Sequence, residues 1–300
     1  MLPGADEPLP DGVTLVSGTA PGVDIIHHYN AAWNEEPSFR SLLADTDTPW
    51  VTTCHSDPSA WGMDGQEFPH NWIFVSPALA RTCGSSRYVL NGIDPAPFRY
   101  SGTKGEHFVF MANFRPGYDK GLDLAMELSG ILGFHLVVAG ASKDAYTIRR
   151  TLEKCQRAGA NYVGDVRGRE KADLLAAAKA LLFPTKTNEA FGLVMAEALV
   201  SGTPVICSDK GACPEIISND VGFVCRDLRD YVDAVSAVEE ISPSACRLKA
   251  FRDFHYVRMA LDYVAEYEEE LTRAGRRIPA RRKAGSFANA VDSNGPAGCL

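Results

Sequence analysis

Two carboxylates, Glu189 and Glu197, bracket the segment Glu189-Ala-Phe-Gly-Leu-Val-Met-Ala-Glu197. The apolar run Ala180–Phe183, closed by Pro184, reads as a strand. The small apolar residues from Gly192 to Val200 read as a buried helix. Glu189 therefore falls in the connecting loop and Glu197 more than a turn inside the helix. A helix start exposes unpaired N–H groups and the positive end of its dipole, and so can hold a phosphate. One acid beside such a start and another further along suit a ligand whose phosphate is flanked by hydroxyl-bearing sugars. A surface glutamate near a helix start and an incidental helical glutamate fit the same spacing, so this segment alone leaves both readings open.

Two cations belong to the same picture. Arg115 and Lys120 lie in the loop Asn113-Phe-Arg115-Pro-Gly-Tyr-Asp-Lys120-Gly121, which opens a helix after a strand. A forked guanidinium and a point-charge ammonium suit a diphosphate. Were that diphosphate a leaving group, they would stabilise the charge that grows on it. Removing one such donor costs on the order of 10²–10³ in rate. No Asp-x-Asp pair follows in the second half, so no metal site is expected. His55 ends the strand Trp50–Cys54, where an imidazole could bond a sugar hydroxyl or hold a backbone carbonyl near a reacting carbon. His27 and His28 end the strand expected at Val23–His27; as neighbours they point to opposite faces, so at most one of them faces a crevice.

These groups need a scaffold, and the chain supplies an alternating one. Strands are predicted at His107–Met111, His135–Ala139, Asn161–Val163, Ala180–Phe183, Pro204–Cys207 and Gly222–Val224. Helices are predicted at Leu122–Leu132, Ala145–Ala158, Lys171–Ala178, Gly192–Ser201, Ala212–Ile217, Leu228–Glu240 and Tyr256–Ala274. Such alternation implies an α/β fold with a parallel, doubly wound sheet, whose ligands sit beyond the carboxyl ends of the strands. Each predicted strand end there carries glycine or a polar group, among them Gly140, Gly164 to Val166 and Gly211. The first part is shorter, with Asn71–Val75 as a further strand, a helix from Pro77, a short strand at Thr14–Ser17, and Arg87–Asp94 as strand and linker.

Composition sets outer bounds. The 300 residues are 45% hydrophobic and 23% charged, as in an ordinary globular chain that can form two modest domains. No apolar stretch approaches the roughly 20 residues that span a bilayer, and residues 1–11 lack a signal-peptide pattern. A cytoplasmic location is the expectation. The eight cysteines are scattered without Cys-x-x-Cys spacing, which disfavours zinc and suggests reduced thiols. The net charge is −8, yet residues 273–300 hold six basic side chains against Asp292 alone. The remaining body is thus more acidic than the whole and would repel a nucleic acid. The basic tail reads as disordered, with a weak attraction for anionic lipid and so a peripheral membrane contact. A P-loop, Gly-x-Gly-x-x-Gly after a strand and Gly-x-Ser-x-Gly are all missing, against phosphotransferase, dehydrogenase and serine hydrolase readings.

Arg115 to Lys120-Gly121, the two-glutamate segment, Gly202-Thr-Pro-Val205, Gly211-Ala-Cys-Pro-Glu215 and Val221-Gly-Phe223 occur in that order. In this the second half closely resembles the family 4 (group 1) retaining glycosyltransferases, which have two facing Rossmann-like domains (the GT-B type). Asn91-Gly-Ile-Asp94 is similar to that family's interdomain linker and Tyr256 to Tyr267 to its closing helix. The resemblance covers roughly residues 23 to 270 and is loose in the first half. It implies a shortened acceptor-side domain over 1–94, a nucleotide-sugar-binding domain over 95–255, a closing helix over 256–272 and a tail over 273–300. It also implies a nucleotide diphosphate sugar as donor, no cofactor and a sugar, lipid or small-molecule acceptor. In that likeness Glu197 bonds the ribose hydroxyls and Glu189 the donor sugar. Arg115 and Lys120 hold the diphosphate, aided by the amides of Gly192, Leu193 and Val194. Gly164 to Val166 edge the base, and His55 stands near the sugar. Two departures stand out. The family's opening strand and glycine-rich loop have only Gly18-Thr-Ala-Pro-Gly22 as a stand-in, and Phe114 precedes Arg115 where the family often has glycine. The first departure motivates an alternative, a non-catalytic or partner-dependent sugar-nucleotide-binding protein; a sugar-nucleotide epimerase is a third reading.

Overall fold

The computed structural model describes residues 22–30, 47–58, 67–115 and 117–278. The strand expected at Thr14–Ser17 and the tail beyond residue 278 lie outside the described residues. Two parallel sheets carry the fold. The first has three strands, β1 (Ile26–Asn30), β2 (Trp50–Cys54) and β3 (Trp72–Phe74), in that spatial order. The second has six: β4 (Phe108–Met111), β5 (Leu136–Ala139), β6 (Asn161–Gly164), β7 (Ala180–Phe183), β8 (Val205–Ser208) and β9 (Gly222–Cys225). Their spatial order is β6-β5-β4-β7-β8-β9, all parallel. This is the doubly wound arrangement, and its direction of winding reverses between β4 and β7, where such sheets take ligands.

The central strands are apolar on both faces because helices cover both. Alternation along each strand sorts side chains between two cores. Phe108 and Phe110 of β4 join Ala180 and Leu182 of β7 on one face. Val109, Met111, Leu181 and Phe183 pack on the other, in a core that continues to Cys54, Trp72 and Phe74 of the first sheet. The two sheets thus share a hydrophobic interior.

The helices are α1 (Pro77–Thr82), α2 (Leu122–Leu132), α3 (Ala145–Ala158), α4 (Gly168–Ala177), α5 (Leu193–Val200), α6 (Cys213–Ile216), α7 (Leu228–Ala237), α8 (Pro243–Phe254) and α9 (Tyr256–Arg273). Helix α8 has no counterpart among the sequence expectations. It packs along α5 and buries Cys246, Ala250 and Phe254. Its start carries a readable signal, Ser242 followed by Pro243 at the first helical position. Helix α9 returns to the first sheet, where Tyr263 joins Val51, Ile73 and Val89. Among the described residues no helix is long and apolar enough to cross a membrane.

The first strand differs from expectation. Pairing with β2 begins at Ile26 opposite Trp50, so His27 and His28 lie inside β1 rather than at its end. Asp24 and Val23 precede the ladder and are exposed.

Candidate functional site

The loops after β4 and β7 meet at the reversal point, and backbone contacts hold them together. Gly121 begins α2 with φ +81, and a Cβ there would stand 1.9 Å from the Pro184 carbonyl oxygen. Only glycine permits that approach. The Lys186 amide donates to the Asp119 carbonyl at 2.9 Å, and the Lys186 ammonium lies 3.0 Å from the Asp119 carboxylate. Burial pushes the Asp119 carboxyl up, but the Gly121 amide, which donates to Asp119 Oδ1 at 2.8 Å, and the Lys186 ammonium outweigh it and hold the carboxyl below its ordinary range.

Lys120 crosses between the loops. Its ammonium donates to Glu189 Oε2 at 2.7 Å and to Thr187 Oγ1 at 3.4 Å. Both partners are largely shielded, at 20% and 14% side-chain exposure, so the pair is screened less than a surface one. Two residues past Ala190 the chain turns through Gly192, at φ +83, into α5. No side chain caps that helix start. The amides around Gly192, Leu193 and Val194 therefore form an open donor cluster beside Glu189. Glu197, just over one turn into α5, lies with its Oε2 2.5 Å from the ammonium of Lys171 on α4. That contact is an ion pair whose angles do not make a hydrogen bond, and Glu197 Oε2 is otherwise a buried atom without a bonding partner. The sequence reading places Lys171 at the start of a predicted helix and gives it no site role: it lies on a different helix from Glu197, and only the packing of α4 against α5 brings the two together.

The remaining residues fall around this centre unevenly. Gly164 ends β6 with φ +81 and open space where a Cβ would stand, while Val166 is buried. The Gly164 carbonyl accepts from Gly140 N–H at 2.7 Å, which ties neighbouring strand ends. Arg115 is placed differently from Lys120. It is exposed and forms no ion pair among the described residues, although it lines with Lys120, Tyr118, Asp144 and Arg150 one cavity of about 400 Å³. Phe114 turns its ring inward against Gly140, 6.3 Å from Phe110 and nearly parallel to it.

His55 follows β2 at the crest of the first sheet, its ring 4.3 Å from that of Tyr29. Burial, with His27 adding to it, lowers its pKa to about 4, so the imidazole is neutral at physiological pH. His27 has a different role. Its two nitrogens contact Tyr267 Oη at 2.5 Å and Thr53 Oγ1 at 2.7 Å, and Thr53 in turn bonds Tyr263 Oη at 2.7 Å. Part of the residue reaches solvent, yet the ring is packed against Tyr263 and Tyr267. That packing, with His28 adding to it, lowers its pKa to about 4. His28 contacts Thr52 Oγ1 at 3.0 Å. Both histidines anchor β1 within the first sheet and its covering helix.

Residues 99–250 match the family described as glycosyl transferases group 1, a match that spans half of the chain. The chain belongs to this family. Similarity to solved group 1-like folds extends further along it. AviGT4, a glycosyltransferase involved in avilamycin A biosynthesis, superposes with a TM-score of 0.67 at 24% identity, over 84% of this chain and 75% of its own. Anabaena HepE, solved in complex with UDP-glucose, gives a TM-score of 0.65 at 15% identity, over 83% of this chain and 79% of its own. Both likenesses show the two-domain Rossmann-like fold of these transferases. The O-antigen chain mannosyltransferase B of Escherichia coli is 41% identical over 76 residues, which cover 25% of this chain and 19% of the enzyme. The chain spans between 19% and 40% of the length of the curated relatives it matches. The reversal point of the larger sheet is where doubly wound folds take ligands.

Proposed function

We propose that this group 1 glycosyl transferase is a retaining enzyme that moves a sugar from a nucleotide diphosphate sugar to a sugar, lipid or small-molecule acceptor. One observation carries the reading: the Lys120–Glu189 pair stands at the reversal point, directly beside the uncapped start of α5. The solved complex of HepE with UDP-glucose supports a donor of this class.

In this reading the diphosphate takes the Gly192–Val194 amides and Lys120, and so draws the ammonium away from Glu189. The carboxylate freed by that exchange accepts hydroxyls of the donor sugar. Glu197 accepts the ribose hydroxyls, with Lys171 holding its second oxygen, and Gly164 to Val166 edge the base. Arg115 reaches the outer phosphate from the cavity that it lines together with Lys120. Neutral His55 bonds a sugar hydroxyl from the first sheet. As the bond from C1 to the phosphate oxygen breaks, the acceptor oxygen attacks from the same face and its proton passes to the departing phosphate. Lysine and backbone dipoles stabilise that leaving group without a divalent ion.

Calorimetry with uridine and guanosine diphosphates tests the site. Glu197→Ala and Lys120→Ala each weaken binding; unchanged affinity in both variants removes the assignment. Turnover in the presence of a chelator tests metal independence, and the anomeric configuration of the product tests retention. Nucleotide binding without any transfer by the full chain would favour the non-catalytic alternative, and a product sugar still on the nucleotide would favour epimerisation.

A further inference from the structure

Glu215 belongs to the donor-bearing half of the chain, yet its carboxylate bonds the other half. Its Oε2 accepts the Ala78 N–H at 2.8 Å, and its Oε1 lies 2.5 Å from the Arg81 guanidinium. Ala78 and Arg81 are on α1, which directly follows the first sheet. Helix α1 already has its own cap, since Ser76 Oγ accepts the Leu79 N–H at 3.1 Å. Glu215 therefore satisfies a second open amide of that helix start from across the molecule, and does so with charge.

The other end of the same segment touches the candidate site. Ala212 N–H donates to the Glu189 carbonyl at 2.8 Å. Gly211, at φ +57, lies so close that a Cβ would stand 2.3 Å from the Glu189 backbone nitrogen and oxygen. Between these ends runs α6, a single turn whose Cys213 and Ile216 are fully buried in the core shared by the two sheets. A turn fixed inside a close-packed core transmits displacement rather than absorbing it.

We propose that residues 211–215 form a strut between the two domains, in which Glu215 is a positioning residue that sets the Glu189 loop against the first sheet. Its catalytic consequence rests on the function proposed above; its structural consequence does not. Donor groups supplied by the second sheet alone would bind nucleotide without it. Transfer also needs the acceptor side held in register, where a misplacement of about 1 Å costs up to 10²-fold.

The test compares Glu215→Ala, Glu215→Gln and Arg81→Ala in the full chain, by uridine or guanosine diphosphate calorimetry, donor turnover and small-angle scattering. The strut predicts nucleotide affinity within about twofold of the parent and turnover lower by roughly 10- to 100-fold in Glu215→Ala. Glu215→Gln, which keeps an acceptor for Ala78, should recover part of that loss. The radius of gyration should rise in Glu215→Ala, and by less in Arg81→Ala. Affinity falling in step with turnover, or scattering and turnover both unchanged, would overturn the proposal. Should Glu215→Ala fail to fold, Arg81→Ala decides by the same criteria, since the Arg81 side chain is 67% exposed and its loss leaves the core intact. A parent chain that binds nucleotide but transfers nothing refutes the function proposed above, while scattering still reads the strut.

Discussion

The polar groups at the ends of the two sheets are satisfied in different ways. On the larger sheet each acid of the candidate site has a lysine from a neighbouring element, Lys120 for Glu189 and Lys171 for Glu197. Both lysines are long and part-exposed, so an arriving phosphate or hydroxyl can replace either partner. On the smaller sheet one linked set of polar groups is tied to a helix. His27, Thr53, Tyr263 and Tyr267 form one bonded chain, and Arg87 pairs with Glu266 and Glu270 of α9. None of these contacts exchanges without loosening α9. Paired charge marks a candidate ligand site in one region and an anchor in the other; what separates them is whether a partner can leave.

The largest effect tests the frame that holds the exchangeable pairs. Gly121→Ala would force a Cβ onto the Pro184 carbonyl at a left-handed φ, and steric strain with overpacking should cost about 3–5 kcal/mol. Gly159→Ala shares the left-handed conformation but meets open space, so about 1 kcal/mol is expected. Urea unfolding of the two variants measures the gap, and equal costs would mean the loops do not depend on that contact.

Next comes Lys120→Ala, which should weaken nucleotide diphosphate binding by about 10- to 100-fold, the worth of a charge-assisted hydrogen bond. Its midpoint of unfolding should move little, because Glu189 remains part-exposed to water. Tyr263→Phe should show the reverse. It removes one hydroxyl from the anchoring chain at a cost of about 1 kcal/mol, with nucleotide affinity unchanged in calorimetry. If Tyr263→Phe weakens the nucleotide as much as Lys120→Ala does, the contrast between the two regions fails.

The last effect is a pH dependence to which two histidines of the smaller sheet contribute. His27 and His55 titrate near 4 in the folded chain, against about 6.5 unfolded. Between those values the unfolded chain binds more protons, so stability is complete above about 6.5 and declines as pH falls toward 4. His27→Gln should flatten that slope in unfolding midpoints taken across this range.

Much of the larger sheet was legible from the residues. Ala180–Phe183, Leu122–Leu132 and Ala145–Ala158 have the expected boundaries, since buried parallel strands are short apolar runs and helices end at glycine. The meeting of Lys120 with Glu189 follows from strand order, which an alternating pattern constrains. Lys171 was hidden because helix-to-helix neighbours leave no local spacing. Helix α8 was overlooked because its mixed polar sequence conceals a buried stripe, although Ser242-Pro243 announced it. His27 was misplaced by the start of β1, whose ladder is set by its partner strand rather than by its own composition.

The seam between Gly121 and Pro184 has a thermodynamic corollary. Two connections locked main chain to main chain have little freedom left to surrender when a guest arrives, so recognition at that seam should carry a small ordering penalty. The heat released on complexation would then pass almost undiminished into affinity, and amide exchange around residues 119–122 and 184–187 should already be slow before any guest is present.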